Sequence, residues 1–199
     1  MAPVTVPPET LREFADFRSF YDWLAENHET ADEVWIRIFK KASGHPTITP
    51  VEAIDAVLCW GWIDAIKKSW DEISYVQRYC PRRPKSVWSQ VNRDNVARLT
   101  EAGLMTEHGL AHVETAKKDG RWDAAYATTQ APPPDLLAAI AVNPAAQKTY
   151  DQLTAQNRFA LTFRTISLKT AAGRKKKIET FVAMLAHGET IYPQKLERD

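Results

Sequence analysis

Thr49-Pro50-Val51-Glu52-Ala53-Ile54-Asp55-Ala56-Val57-Leu58-Cys59-Trp60-Gly61-Trp62-Ile63-Asp64 holds a helix, its stop and the start of a strand in one run. Thr49 offers a side-chain oxygen as N-cap, Pro50 suits a first helical position that needs no N–H, and Glu52 completes a capping box. Val51, Ile54, Val57 and Leu58 recur at helical spacing and predict an apolar stripe. Gly61 suits the C-terminal cap.

Working outward, Ile63 to Trp70 and Ile73 to Tyr79 read as two strands joined by a turn at Asp71-Glu72. Pro81 and Pro84 end the second, because proline cannot donate to a sheet ladder. Upstream, Val34-Trp35-Ile36-Arg37-Ile38-Phe39-Lys40 is β-branched and aromatic, hence a strand, and Ser43-Gly44-His45-Pro46 breaks it. A short helix fits Phe17 to Glu26, with Phe20, Trp23 and Leu24 on one face. Residues 1–10 are proline-rich and expected to be extended or frayed.

Downstream, Asn92 caps a predicted helix to Glu101 that buries Val96 and Leu99, and Gly103 stops it. Thr106 opens another, with Leu110 and Val113 inward, closed by Asp119-Gly120. Thr128-Thr129-Gln130-Ala131-Pro132-Pro133-Pro134 reads as a linker. Every later signal is helical. Asp135 is the expected cap for Leu136 to Val142, and Asn143-Pro144 breaks the pattern. Inward residues are expected at Tyr150 and Leu153, at Phe159, Phe163 and Ile166, and at Ile178, Phe181, Val182 and Leu185, with Gly188 as the last stop. The predicted fold is α+β, a small antiparallel sheet with packed helices over residues 1–126. A proline-rich linker follows over 127–134 and an all-helical part over 135–199.

Composition bounds the class. A chain of 199 residues, 44% hydrophobic and 26% charged, can build an apolar core. No apolar run approaches the ~20 residues that span a bilayer, so no membrane insertion is expected. The N-terminus has neither a basic start nor an apolar segment, so a signal peptide is not expected and the predicted location is cytoplasmic. Cys59 and Cys80 suit a reducing compartment without a disulfide. Net charge is +1, but it is segregated. Residues 1–33 carry Glu9, Glu13, Asp16, Asp22, Glu26, Glu29, Asp32 and Glu33 against Arg12 and Arg18. Residues 67–98 carry Lys67, Lys68, Arg78, Arg82, Arg83, Lys85, Arg93 and Arg98 against Asp71, Glu72 and Asp94.

Within that basic stretch, Arg78, Arg82 and Arg83 lie in a run, Gln77 to Asn92, that holds no acid, and Arg93 follows it. Guanidinium forks match carboxylate and phosphate geometry, and a helix start near Asn92 adds free N–H groups. Ser86, Ser89 and Asn92 supply neutral donors, and Trp60, Trp62 or Trp88 a stacking face. One reading is therefore a pocket for an anionic group. The other is internal pairing of one arginine with Asp64 and solvation of the rest. Asp64 shares strand parity with Trp62 and Ile66, and a half-buried acid needs a partner, Arg78 or Arg82. His108 and His112 share a helix face, but Glu107 does not join them, so no metal is predicted. No cofactor motif is present, and no catalytic residue is assigned. Arg174-Lys175-Lys176-Lys177 reads as a solvated helix face, and Trp23, Trp35, Trp70 and Trp122 as core or edge packing.

Taken together, these motifs resemble the YdeI/OmpD-associated family, the bacteriocin-protection proteins. The resemblance rests on Cys59-Trp60-Gly61-Trp62-Ile63-Asp64, Tyr75, Gln77-Arg78, Pro81-Arg82-Arg83, Ser86, Trp88-Ser89, Asn92-Arg93, Leu99 and Gly103-Leu104-Met105. It continues through Gly109-Leu110, Ala116 and Asp119-Gly120-Arg121-Trp122-Asp123. Towards the C-terminus, Leu168-Lys169 and Ala172-Gly173-Arg174 stand where the family pattern has Ala-Lys and Glu-Thr-Arg. The resemblance implies protection of bacteria against bacteriocins and envelope stress, no assigned catalytic residue, and a fold similar to small α+β proteins of the YjbR/CyaY-like group. The leading expectation is a non-enzymatic stress-tolerance module for a small anionic ligand or an anionic protein partner. A nucleic-acid-associated protein that binds single strands is the alternative. An enzyme working through Asp64 or Cys80 is third.

Overall fold

A computed structural model of the chain describes residues 5–127 and 130–197. The chain forms two compact units, Met1–Ala125 and Tyr126–Asp199. The expected linker contains Thr128 and Thr129, which lie outside the described residues, and its last residue, Pro134, already belongs to a helix.

The first unit is α+β. Its strands are β1 (Leu11–Arg12), β2 (Val34–Phe39), β3 (Trp62–Ser69) and β4 (Ser74–Pro81), in the order β1-β2-β4-β3. The β3–β4 hairpin is antiparallel, as the short turn at Asp71-Glu72 requires, and β2 also pairs antiparallel with β4. The sheet is nevertheless mixed, because β1 pairs in parallel with β2, Leu11 opposite Trp35. Its two residues, just past the proline-rich segment 1–10, are too few to leave a periodic signal. Proline ends β4 at Pro81.

Helix α1 (Phe17–Asn27) is fixed by a capping box in which Asp16 accepts from the Ser19 amide. Helix α2 (Pro50–Cys59) starts as its sequence dictates. The Thr49 hydroxyl accepts from the Glu52 amide, and the Glu52 carboxylate accepts from the Thr49 amide. Gly61 stops α2 at φ +73°, a conformation that glycine adopts without Cβ strain. The buried face of α2 differs from the predicted stripe. Val51 is 64% exposed, whereas Ala53, Asp55, Ala56, Val57, Leu58 and Cys59 are buried. Small alanines let neighbours approach on two sides. One core joins Phe20, Leu24, Val34, Ile36, Ile38, Ile48, Val57, Trp62 and Tyr79. A second joins Leu58 and Cys59 to Trp88, Val96, Leu99, Val113 and Ala116. Each fully buried large apolar side chain contributes about 1.5–3 kcal/mol.

That second core holds α3 (Gln90–Glu101) and α4 (Glu107–Lys118). The cap of α3 is Ser89, not Asn92. Asn92 lies inside the first turn and its amide donates to Ser89 Oγ at 3.1 Å. Either residue type can cap; the serine wins because the chain is still extended there. Thr106 caps α4 as expected, but Leu110 is only half-buried, and Val113 and Ala116 carry the contact.

The second unit is all helical: α5 (Pro134–Ala141), α6 (Pro144–Asp151), α7 (Ala155–Ile166) and α8 (Ala171–Ala186). Its core is Leu136, Ile140, Ala146, Tyr150, Leu153, Leu161, Ile178, Phe181 and Leu185. Asp135 does not cap α5. It sits in the first turn and receives a two-pronged bond from Arg174, both contacts 2.6 Å. Helix α7 is turned from its predicted face. Asn157, Ala160, Leu161, Thr162 and Thr165 are buried, while Phe159 and Phe163 are half-buried against Tyr126. The buried Asn157 amide is satisfied by Tyr192 and Gln194, which ties down the segment after α8. No helix among the described residues is long and apolar enough to cross a membrane.

Candidate functional site

Arg82 follows β4 with its amide donating to the Gly61 carbonyl at 3.0 Å. Its side chain turns inward and the residue is 4% exposed. The guanidinium carbon lies 3.9 Å from the Trp88 ring centre, and Nη1 donates to the Val87 carbonyl at 3.1 Å. A desolvated cation over an indole face is stabilised by about 2 kcal/mol. Trp88, itself 2% exposed, meets Trp122 edge-on at 5.0 Å. Arg93 lies 5.2 Å over the Trp122 ring. Arg121 donates to the Ser86 carbonyl at 2.7 Å and pairs with Asp119. Arg83 and Lys85 are exposed on the loop between Arg82 and Trp88. Helix α3 starts here with no acid in its first turn, Ser89 as cap and Asn92 half-buried.

Of the predicted site residues, the fold therefore gathers Arg82, Arg83, Ser86, Trp88, Ser89, Asn92 and Arg93 around the start of α3. Trp62 goes elsewhere. It is a core residue whose Nε1 donates to the His28 carbonyl at 3.2 Å. Trp60 packs on Tyr21, His28 and His108. Arg78 pairs with Glu33, not with Asp64, and Glu33 also accepts from Trp35 Nε1. Asp64 was expected to be half-buried beside Trp62 and Ile66, but both Asp64 and Ile66 are exposed, because only the first residue of β3 reaches the core. Crowding around the Asp64 carboxyl raises its pKa, and its own backbone amide and the Arg82 charge oppose that rise. With part of the residue open to water, solvent limits the effect.

Both cysteines are free. Burial, then the charge of Asp55, pushes the Cys59 thiol up to about 12, so it stays protonated and a poor nucleophile at neutral pH. His112 is held below the ordinary histidine range by burial, then by Arg82 and Arg121. Its ring lies over Gly61, where an added Cβ would come within 2.6 Å of it. Gly109 lets α4 press on the end of α2: a Cβ there would stand 2.4 Å from the Cys59 carbonyl oxygen. That approach sets His108 beside His28, with ring centres 4.1 Å apart.

Read from sequence, Trp122 has a packing role and Arg121 none, although their adjacency to Asp119-Gly120 marks a tight turn beside this cluster. For the His28–His108 pair there was no sequence signal, since eighty positions separate them.

Residues 12–112 match the family model described as a domain of unknown function (DUF8412). Residues 131–188 match the model described as Bacteriocin-protection, YdeI or OmpD-Associated. The family resemblance is thus shown in the helical part, where Leu168-Lys169 and Ala172-Gly173-Arg174 depart from the pattern, while most of the tryptophan and arginine motifs fall in the other match. No curated protein matches the chain, and no solved structure does.

Proposed function

The chain belongs to the DUF8412 family over residues 12–112, and from that premise we propose a non-enzymatic, cytosolic stress-tolerance module that binds an anionic group beside the start of α3. The observation that carries this is the stack of Arg82 on Trp88 and Arg93 on Trp122, two packed indoles each covered by a guanidinium. Arg82 serves as the fixed, buried positive charge. Arg83, Lys85 and Arg93 are the groups that reach a ligand, and the acid-free first turn of α3 adds its N–H groups. The bacteriocin-protection match of the helical unit supplies the stress context.

The test is a tryptophan-fluorescence and thermal-shift titration of the full chain. The probes are inorganic pyrophosphate, a nucleoside diphosphate, a phosphosugar and a short oligouridylate, each at two salt concentrations. Saturable, selective quenching is expected with one probe, and its loss in Arg83→Ala, Arg93→Ala. Arg82 is left intact in this variant because its burial makes it part of the fold. A response only to oligouridylate that fades steeply with salt supports single-strand binding instead. No response to any probe ends the proposal.

A further inference from the structure

We propose that His28, Glu29 and His108 form a binding site for a divalent transition-metal ion of the zinc type. One ligand atom from each, two imidazole nitrogens and a carboxylate oxygen, lie within 4.8 Å of one another. Ligands of a tetrahedral zinc ion stand about 3.4 Å apart, given bonds of about 2.0–2.1 Å. Rotation of two mobile side chains closes that gap, because Glu29 is 72% and His108 36% exposed at the side chain.

The tautomer of His28 is fixed by its surroundings. Nδ1 lies 3.0 Å from the Leu24 carbonyl, which can only accept, so Nδ1 carries the proton. In the neutral ring, the form that binds a metal, Nε2 then keeps its lone pair. That atom is buried and has no hydrogen-bond partner among the described residues. Glu29 Oε1 lies 3.9 Å from it. A ligating histidine characteristically donates its other N–H to a backbone carbonyl, which orients the ring and raises its basicity. Trp60 walls the pair, 4.6 Å from the His28 ring and 5.8 Å from that of His108. Glu107 Oε1, 4.0 Å from His108 Nε2, is a rival partner from the same helix.

Two imidazoles exclude calcium and magnesium, which take oxygen ligands. The absence of a thiolate from the set points to zinc, cobalt or nickel rather than copper(I). Three protein ligands leave one tetrahedral position for water or an added anion.

The full chain, stripped with a chelator, is titrated with zinc by calorimetry and with cobalt by visible absorption. One zinc per chain and cobalt d–d bands are expected. His108→Ala and Glu29→Gln each weaken zinc binding by at least about tenfold. Glu29 is exposed and His108 half-buried, so these variants stay informative even where His28→Gln does not fold. Absence of saturable zinc uptake by the wild type overturns the proposal. So does unchanged uptake in either surface variant.

Discussion

Trp60 and Trp88 are close in sequence, and each has a buried indole N–H without a hydrogen-bond partner among the described residues. Their ring faces meet opposite chemistry. Trp88 is covered by a guanidinium that holds its charge at any pH of interest. Trp60 is flanked by two imidazoles, one of them with a buried Nε2 that has no hydrogen-bond partner among the described residues. The same residue type thus backs a permanent cation in one place and a pair of electron donors in the other. What differs is the element delivering the partner: the loop after β4 for Trp88, and the ends of α1 and α4 for Trp60. An aromatic motif therefore specifies a dry wall, and the neighbouring chain specifies what the wall is for.

The sharpest way to break this contrast is Trp88→Ala. It opens a cavity in the second core and leaves Arg82 buried without its ring, so a loss of about 3–5 kcal/mol in urea unfolding is expected. Gly109→Ala comes next. Its Cβ would meet carbonyl oxygens of Cys59 and Leu58 at 2.4 and 2.6 Å, backbone atoms that cannot swing aside. Overpacking should cost about 3 kcal/mol despite the better helix propensity of alanine. It should also draw His108 away from His28, which calorimetry with zinc would read. Wild-type stability in this variant would mean that α4 slides freely. Arg82→Ala should lose about 2 kcal/mol and Arg93→Ala less than about 1 kcal/mol, the difference between a desolvated and an open cation over an indole. Equal losses would remove the distinction between anchor and reader.

The smallest expected effects are with pH. The folded-state pKa of His112 is lowered, so as pH falls below about 6.5 the unfolded chain takes up the proton first. Stability should decline through that window down to the folded pKa, and His112→Gln should flatten the decline. Cys59 works at the other end. The unfolded thiol ionises near 9 while the folded one holds its proton to about 12, so stability should fall as pH rises between those values. Thermal unfolding across pH in the wild type, His112→Gln and Cys59→Ala would check both limbs.

Features specified by neighbours in sequence were legible. The Thr49 capping box, the Gly61 stop and the β3–β4 hairpin each need only a few consecutive residues. Features set by distant chain were not. Ser89 displaces Asn92 as cap because of the backbone conformation at one residue. Asp135 does not stand at the N-cap of α5; it accepts from the Leu136 amide in the first turn and binds Arg174, 39 positions on. Arg78 finds Glu33, 45 positions back, so of the two partners expected for Asp64 only Arg82 stands near enough to act on its carboxyl. The candidate anion site was legible in part because its residues share a short stretch with the α3 start. The two histidines were not, since neither belongs to a motif and only the close approach at Gly109 brings them together.

Strand β3 forms one border of the sheet, and Lys67 and Lys68 are exposed on it just past a register shift after Asp64. A border strand offers its free amides and carbonyls to any passing chain. Two ammonium groups and a kinked ladder make it a poor template, so growth by strand addition is blocked at this edge. The lysines that contribute to the basic character of this stretch thereby also guard the protein against aggregation, and exchanging them for β-branched apolar residues would turn a boundary into a seam for fibres.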